Sequence, residues 1–254
     1  MKRSTIRNSL LTAVSALLLI LGWKIVSVIV GAEIIVPSPE DTGIRFLRLM
    51  GSPSFWRAVG ATVLRGVAGF LISLAAGTLV GIGAGLSPFL KSVLRPLLTV
   101  IKATPVISII LIAMIWFHTD AVPVFVTILM TFPIVCGNTM GGILNVDRSL
   151  IQMARSYRVS ERSLLMGIYL PSVVPYMVAG VSAAVGITWK VVIAAEVLSM
   201  PIHSVGTKMQ NARINLETAE VFAWTFISIV LSGLSEWGVE GIARRIGRYE
   251  RDES

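Results

Sequence analysis

The chain has 254 residues, 54% of them hydrophobic and only 14% charged, with a mean hydropathy of +0.80. That balance excludes a water-soluble domain, so lipid is part of the solvent. The net charge of +8, from 22 basic and 14 acidic residues, is read as loops facing anionic lipid rather than as a nucleic-acid surface. The lone cysteine, Cys136, lies inside an apolar run and permits no intramolecular disulfide.

Six apolar runs are long enough for helices that cross a bilayer, which needs about 20 residues. The first, Ser9 to Val30, follows Lys2, Arg3 and Arg7 and is read as a retained span, because no small-residue cleavage site follows it. Residues 31–57 form an external loop. Pro37 and Pro39 hold its start extended, and Ile44, Phe46 and Leu47 with Arg45 and Arg48 predict a short amphipathic helix on the membrane surface. In the second run, Ala58 to Leu86, the residues Gly69, Ser73, Gly77, Gly81 and Gly85 recur every four positions, leaving one ridge without bulky side chains for a close helix neighbour. Gly81 and Gly83 sit in an apolar run with no strand before them, which sets aside a nucleotide-binding glycine loop.

The third run, Leu97 to Phe117, contains Pro105, and the fourth, Val122 to Met140, contains Pro123 and Pro133. Each proline removes a backbone donor and invites a kink, a pattern that favours a transporter over a passive anchor. Between the fourth and fifth runs lies a basic interval from Asp147 to Pro171, with Arg148, Arg155, Arg158 and Arg162. Asp147 is a good N-cap for a first short helix with Leu150, Ile151, Ala154 and Tyr157 on its apolar face. Ser160 caps a second, with Glu161 in its first turn, expected to run until Pro171. The fifth run, Ser172 to Ala195, carries Lys190, with Glu196 just beyond, and the sixth is Val221 to Val239. Lys190 and Glu196 are about 240° apart around a helix and do not share a face.

Placing the N-terminus inside puts Lys2, Arg3, Arg7, Lys91, Arg95, Lys102, the hairpin arginines, Arg244, Arg245, Arg248 and Arg251 in the cytoplasm. Only Arg45, Arg48, Arg57, Lys208 and Arg213 are left outside, a bias that predicts both termini to be cytoplasmic. Trp23, Trp56, Trp116, Trp189 and Trp224 then form an outer belt and Trp237 marks the inner interface. The expected fold is an all-α polytopic membrane protein of six transmembrane helices. Its parts are an N-terminal helix (1–33), an external loop (34–57), a five-helix core (58–243) containing the cytoplasmic loop 145–171, and a tail (244–254). Arg65, Lys190 and Glu196 are candidate residues of a translocation pathway, because intramembrane charges face protein or water. His118 and His203 lack ligand neighbours, so no metal is expected. No G-x-x-x-x-G-K-[ST] loop occurs, and no paired carboxylates or H-E-x-x-H helix suggest an enzyme. A secondary transporter would carry acidic or histidine relays, and only Glu236 stands near the end of the sixth span.

The interval Gln152 to Pro171 resembles the loop signature of binding-protein-dependent ABC importer permeases: E-A-A, three residues, glycine, nine residues, I, one residue, L-P. In this register Gln152, Met153 and Ala154 stand at the E-A-A positions, Arg158 at the glycine, and Ile168, Leu170 and Pro171 at the end. Further pieces are similar to the nitrate, sulfonate and taurine branch of that family. They are Val36-Pro37-Ser38-Pro39, Arg65 with Gly69-Phe70, Lys102-Ala103-Thr104-Pro105, Ile115-Trp116-Phe117, and Trp189-Lys190 with Ala194-Ala195-Glu196.

The resemblance implies a type I importer permease of the cell inner membrane, not an enzyme, paired with a second permease subunit as a homodimer or heterodimer. Its partners would be two cytoplasmic ATPase subunits, which bind the ATP and Mg, and an extracytoplasmic solute-binding protein. The chain itself would hold no cofactor. It further implies that Gln152, Met153, Ala154, Tyr157, Arg158, Ile168, Leu170 and Pro171 form the ATPase-coupling loop. The solute would be a small anion of the nitrate, sulfonate, taurine or bicarbonate kind, or a vitamin precursor. Two departures carry expectations. Arg158 in place of glycine predicts a differently shaped turn, and Gln152 in place of Glu predicts an adapted ATPase groove or an asymmetric pair with a more typical permease.

Overall fold

The structure, a computed structural model, describes the backbone of residues 2–252 and the side chains of residues 11, 12 and 14–241. The basic residues predicted to mark the cytoplasmic ends, Lys2, Arg3, Arg7, Arg244, Arg245, Arg248 and Arg251, have side chains outside the described set. Three long helices form the centre: α3 (Pro53–Leu86), α6 (Ala121–Leu144) and α9 (Leu170–Ser199). The small-residue ridge of α3 lies against α6. A Cβ added at Gly69 would sit 2.8 Å from Thr127, at Gly77 2.9 Å from Val135, at Gly81 2.8 Å from both Thr139 and the Cys136 carbonyl, and at Gly85 2.5 Å from Ile143. Partner numbers rise in step along both helices, so α3 and α6 run parallel. α9 is antiparallel to both, with Gly180 against Asn138, Gly142 against Tyr176 and Gly66 against Trp189.

Two parallel helices adjacent in this way require the chain between them to recross the body. The recrossing is made by α4 (Pro88–Ala103) and α5 (Val106–Trp116), bent by 99° to one another. The predicted third span, Leu97 to Phe117, is therefore broken rather than continuous. Pro105 has no amide hydrogen and forces Thr104 into an extended conformation (φ −75°, ψ 128°), so the helix stops and restarts. Pro123 sits in the first turn of α6, where no amide is missed, and Pro133 lies inside α6 without ending it. α5 seals its apolar side, Ile109, Ile110 and Ala113, on Val122 and Val126 of α6 and Val191 and Ala195 of α9. Among the described residues, four helices are long and apolar enough to cross a bilayer and the bent pair makes a fifth. α1 (Lys2–Val30) adds the shorter apolar run Val14–Val30, so length and hydropathy reach the expected six only with its help.

At the end of the bundle where α3 and α6 begin, α2 (Pro39–Met50) is capped by Ser38 and packs Phe46 edge-on to Phe55 and to Phe226 of α11 (Thr218–Asp252). The predicted surface helix thus docks on protein with one face, leaving Ile44 and Leu47 exposed. α1 is fastened there too. Trp23 donates to the Pro37 carbonyl (3.0 Å), Ser27 to Val36 (3.1 Å), and Lys24 pairs with Glu40 at 2.8 Å. That hydrogen bond from Lys24 is the main cause holding the Glu40 carboxyl below its ordinary range.

The same end is closed by α10 (Val205–Ile214), tied down by a buried polar network. Glu196, fully buried near the end of α9, accepts from Thr62 (2.8 and 3.0 Å), from Arg65 Nη1 (2.9 Å) and from the Gly206 amide (3.2 Å). Thr62 in turn accepts from the Val205 amide (2.9 Å). Arg65 also donates to the His203 carbonyl (2.9 Å) and pairs with Asp120 at the start of α6. Met200 makes the sharp exit from α9 in the left-handed conformation (φ 49°), its amide on the Glu196 carbonyl, and Pro201 prevents the helix from resuming.

Two outcomes follow from this packing. Gly81→Leu has no room between α3 and α6 and is expected to lose about 1–3 kcal/mol in detergent unfolding, whereas Gly60→Ala, which meets nothing within 4 Å, stays within about 0.5 kcal/mol. Glu196→Ala takes away the acceptor of Thr62, of the Gly206 amide and of one Arg65 nitrogen beside a new void, and is expected to cost about 3–5 kcal/mol. The double variant Arg65→Met/Glu196→Leu costs less than the sum of its single changes, which a double-mutant cycle of thermal unfolding measures.

Candidate functional site

The opposite end of the bundle, where α3 and α6 terminate and α9 begins, carries a hairpin built from local rules. Asp147 caps α7 (Arg148–Ser156), its Oδ1 accepting from the Ser149 amide at 2.8 Å. Hydrogen bonds from the Ser149 side chain and then from its amide hold this carboxyl below the usual range. The cap's contribution is thus present above the unfolded carboxylate pKa and is lost as pH falls through the depressed folded value.

α7 ends in a Schellman motif: the Val159 amide donates to the Ala154 carbonyl (3.0 Å) and the Arg158 amide to Arg155 (2.9 Å). The residue this motif needs in the left-handed region is Arg158, and it is there, with φ 57°. The expectation of a differently shaped turn is therefore overturned. Arg158 adopts the backbone conformation that glycine takes without strain, because the two amide bonds and the burial of Ala154 and Leu164 offset the cost of its Cβ.

Ser160 then caps α8 (Glu161–Leu164) by accepting from the Ser163 amide. The expected stop at Pro171 does not occur. A π-helical turn over Leu165–Tyr169 carries α8 into α9, so a single helix runs from Glu161 to Ser199. The wider turn takes up the position where Pro171 lacks an amide, which is why this proline leaves the helix unbroken where Pro105 does not.

Of the loop residues singled out from the sequence, Ala154 is buried and roots the hairpin with Val146 and Leu164. Ile168 and Leu170 are half-buried on the continuous helix, and Gln152, Met153, Arg158 and Pro171 are exposed. Met153 and Tyr157, 53% and 80% accessible, join Leu150 at 42% in an apolar patch on a basic helix. Arg155 and Glu161 face each other across the turn at 3.6 Å.

The three charges proposed for a pathway part company. Arg65 and Glu196 come together at the far end, where the Arg65 guanidinium is taken up by two carboxylates and a carbonyl. Lys190 points away from them, exposed, into a cleft of about 370 Å³ between α9 and α11. The other wall is a polar stripe of α11, Thr225, Ser228, Ser232 and Glu236, whose helical spacing was readable in the sixth apolar run and went unread. Asp120 and Thr62 were also missed, since nothing local marks a residue whose partner lies over fifty positions away. Among the described residues no group of His, Cys, Asp or Glu is arranged to hold a metal ion.

Comparison with known proteins bears on this geometry. Residues 73–248 match the family described as binding-protein-dependent transport system inner membrane component. The taurine transport system permease protein TauC of Escherichia coli is 24% identical over 237 residues, 91% of this chain and 86% of that protein. The putative aliphatic sulfonates transport permease protein SsuC of the same organism is 30% identical over 212 residues, 83% of this chain and 80% of that one. The bicarbonate transport system permease protein CmpB of Synechococcus elongatus is 30% identical over 154 residues, 60% of this chain and 55% of that protein. Among solved structures, the inward-facing MetNI methionine ABC transporter superposes with a TM-score of 0.56 at 15% identity, covering 75% of this chain and 93% of that one. An amino acid ABC transporter crystallised with histidines superposes with 0.58 at 14%, covering 80% and 96%. The all-helical fold is thus shared with these ABC transporters. The chain belongs to the binding-protein-dependent transport system inner membrane components, as a multi-pass permease subunit of an ABC importer.

Proposed function

We propose that the hairpin from Asp147 to Pro171 is the coupling element of this permease, lying on the cytoplasmic side and seated in a groove of a partner ATPase. One observation carries the reading: the second helix of the hairpin is not hinged to the bundle but forms the first turns of the helix that becomes α9, and α7 is fastened to it by the turn at Arg158 and the burial of Ala154 and Leu164. A push on Leu150, Met153 and Tyr157 of α7 passes through the turn at Arg158 to α8, and from there along one continuous helix to Glu196 and the clamp at the other end. The arginines around the patch suit an acidic rim, and a central apolar anchor with a charged surround is how interfaces concentrate their energy.

The partner permease is a second copy of this chain. Arg158 keeps the glycine-type turn, so the shape of the hairpin calls for no more typical companion. The end bearing α2 and α10 receives the solute-binding protein. The solute has a small anionic head, as the taurine, sulfonate and bicarbonate named for the relatives do. Lys190, within a span and exposed, supports this, because an ammonium there is stable only against water, protein or an anion. ATP and Mg belong to the ATPase subunits, and this chain contributes no cofactor site.

Leu150→Asp/Met153→Asp is expected to weaken ATPase docking by about 30-fold or more, the loss of a hot spot of about 2 kcal/mol, with thermal unfolding of the permease unchanged. Affinity purification through the ATPase reads both docking and stoichiometry, with two copies of this chain per complex the expected result and an unaltered yield of the variant the contrary one. Arg158→Gly relieves a left-handed Cβ and is expected to raise unfolding stability by about 0.5–1 kcal/mol while leaving docking intact.

A further inference from the structure

We propose that the cleft between α9 and α11 is a station on the solute path for a small zwitterion, its acid group on the Lys190 ammonium and its ammonium on the Glu236 carboxylate. The inference rests on the permease reading above and narrows its solute from an anion to a molecule that also carries a cation. The cleft, about 370 Å³, lies at the lower end of the size range of ligand sites, about 300–1,000 Å³. Its two charges come from different helices. Among the described residues Lys190 has no hydrogen bond or ion pair, while Glu236 accepts only a long bond from Ser232, at 3.4 Å.

The two reach the cleft at neighbouring turns of α9. The Glu236 Oε1 lies 3.2 Å from where a Cβ on Gly186 would be, and Lys190 begins one helical turn, about 5–6 Å, further along the same helix. The empty volume has Lys190 on one wall and Glu236 on the other, an arrangement complementary to a small molecule that carries both charges. A simple anion at Lys190 meets the Glu236 charge, and a simple cation at Glu236 meets Lys190, so each is penalised by the group the zwitterion uses. Ser228 and Thr225 already donate along α11, to Trp224 and Val221, which leaves their oxygens as acceptors for an ammonium. Trp189, fixed by its bond to Ser235 at 2.9 Å, forms an apolar floor for the carbon linker.

The same chemistry describes the headgroup of phosphatidylethanolamine, and the test separates the two sources. Ser228→Cys in a Cys136→Ala background, in the complex with its ATPase subunits, is reconstituted into phosphatidylglycerol nanodiscs and labelled with a water-soluble anionic methanethiosulfonate. Labelling is expected. Taurine and β-alanine are expected to slow it about fivefold more than ethanesulfonate and propionate at equal concentration, the ratio that one exposed ion pair supplies. Glu236→Gln removes the difference between the two pairs, and Lys190→Gln removes protection by all four. Absence of labelling, which means that lipid or the second copy covers the cleft, overturns the proposal, as does equal protection by the zwitterions and the simple anions. Slowing by phosphatidylethanolamine nanodiscs with no further effect of taurine also overturns it, assigning the cleft to lipid. Co-elution of the ATPase in the same samples reports separately on the permease reading.

Discussion

Within a bilayer an apolar side chain gains nothing by leaving lipid for protein, so helices adhere only where many atoms meet at contact distance. The approach of α3 to α6 is that contact, and it is possible because four glycines of α3 present no Cβ where α6 offers Thr127, Val135, Thr139 and Ile143. The parallel course of these two helices then dictates much of the rest. The chain must return between them, and it does so through a crossing broken at Pro105. α9 must run back against both, and the hairpin and the Arg65–Glu196 clamp are left at opposite ends of one rod.

The clamp and the hairpin show how the fold divides stiffness. At one end a fully buried carboxylate collects a hydroxyl and a guanidinium from α3 and an amide from α10, an arrangement that is stable only as a complete set, because any member left alone is an unpaired polar group away from water. At the other end the hairpin is held by its own turn chemistry, Asp147 and Ser160 as caps with a Schellman turn between them, and by the few buried side chains Val146, Ala154 and Leu164. Such an element keeps its shape while its outer face stays free for a partner. The π-helical turn before Pro171 joins α8 to α9 without a break, so the hairpin's second helix and the clamp's Glu196 stand on one continuous helix.

Arg65 illustrates why an intramembrane charge does not by itself identify a solute path. Its three engagements leave the guanidinium satisfied by protein, and its position serves the closure of the α10 end. Lys190 is the contrasting case, exposed toward a cleft whose opposite wall bears Glu236. The two basic residues give similar signals in a hydropathy plot and differ in what the other helices place opposite them.

Features set by short-range chemistry were legible in the amino-acid order. The apolar runs, the glycine ridge and the caps Asp147 and Ser160 depend on residues within a turn or two of each other, and the family signature from Gln152 to Pro171 on spacing within one continuous stretch. Where local rules competed, the order alone did not decide. Pro105 breaks a helix and Pro171 does not, and Arg158 enters a region that favours glycine, because packing and the bonds of the neighbouring turns settle each contest. What faces what was decided by tertiary structure alone. The pairing of Glu196 with Arg65 and Thr62, and of the Lys190 face with the polar stripe of α11, depends on the register of helices more than thirty residues apart. That register is set by how closely their backbones can approach, a quantity that no single helix contains.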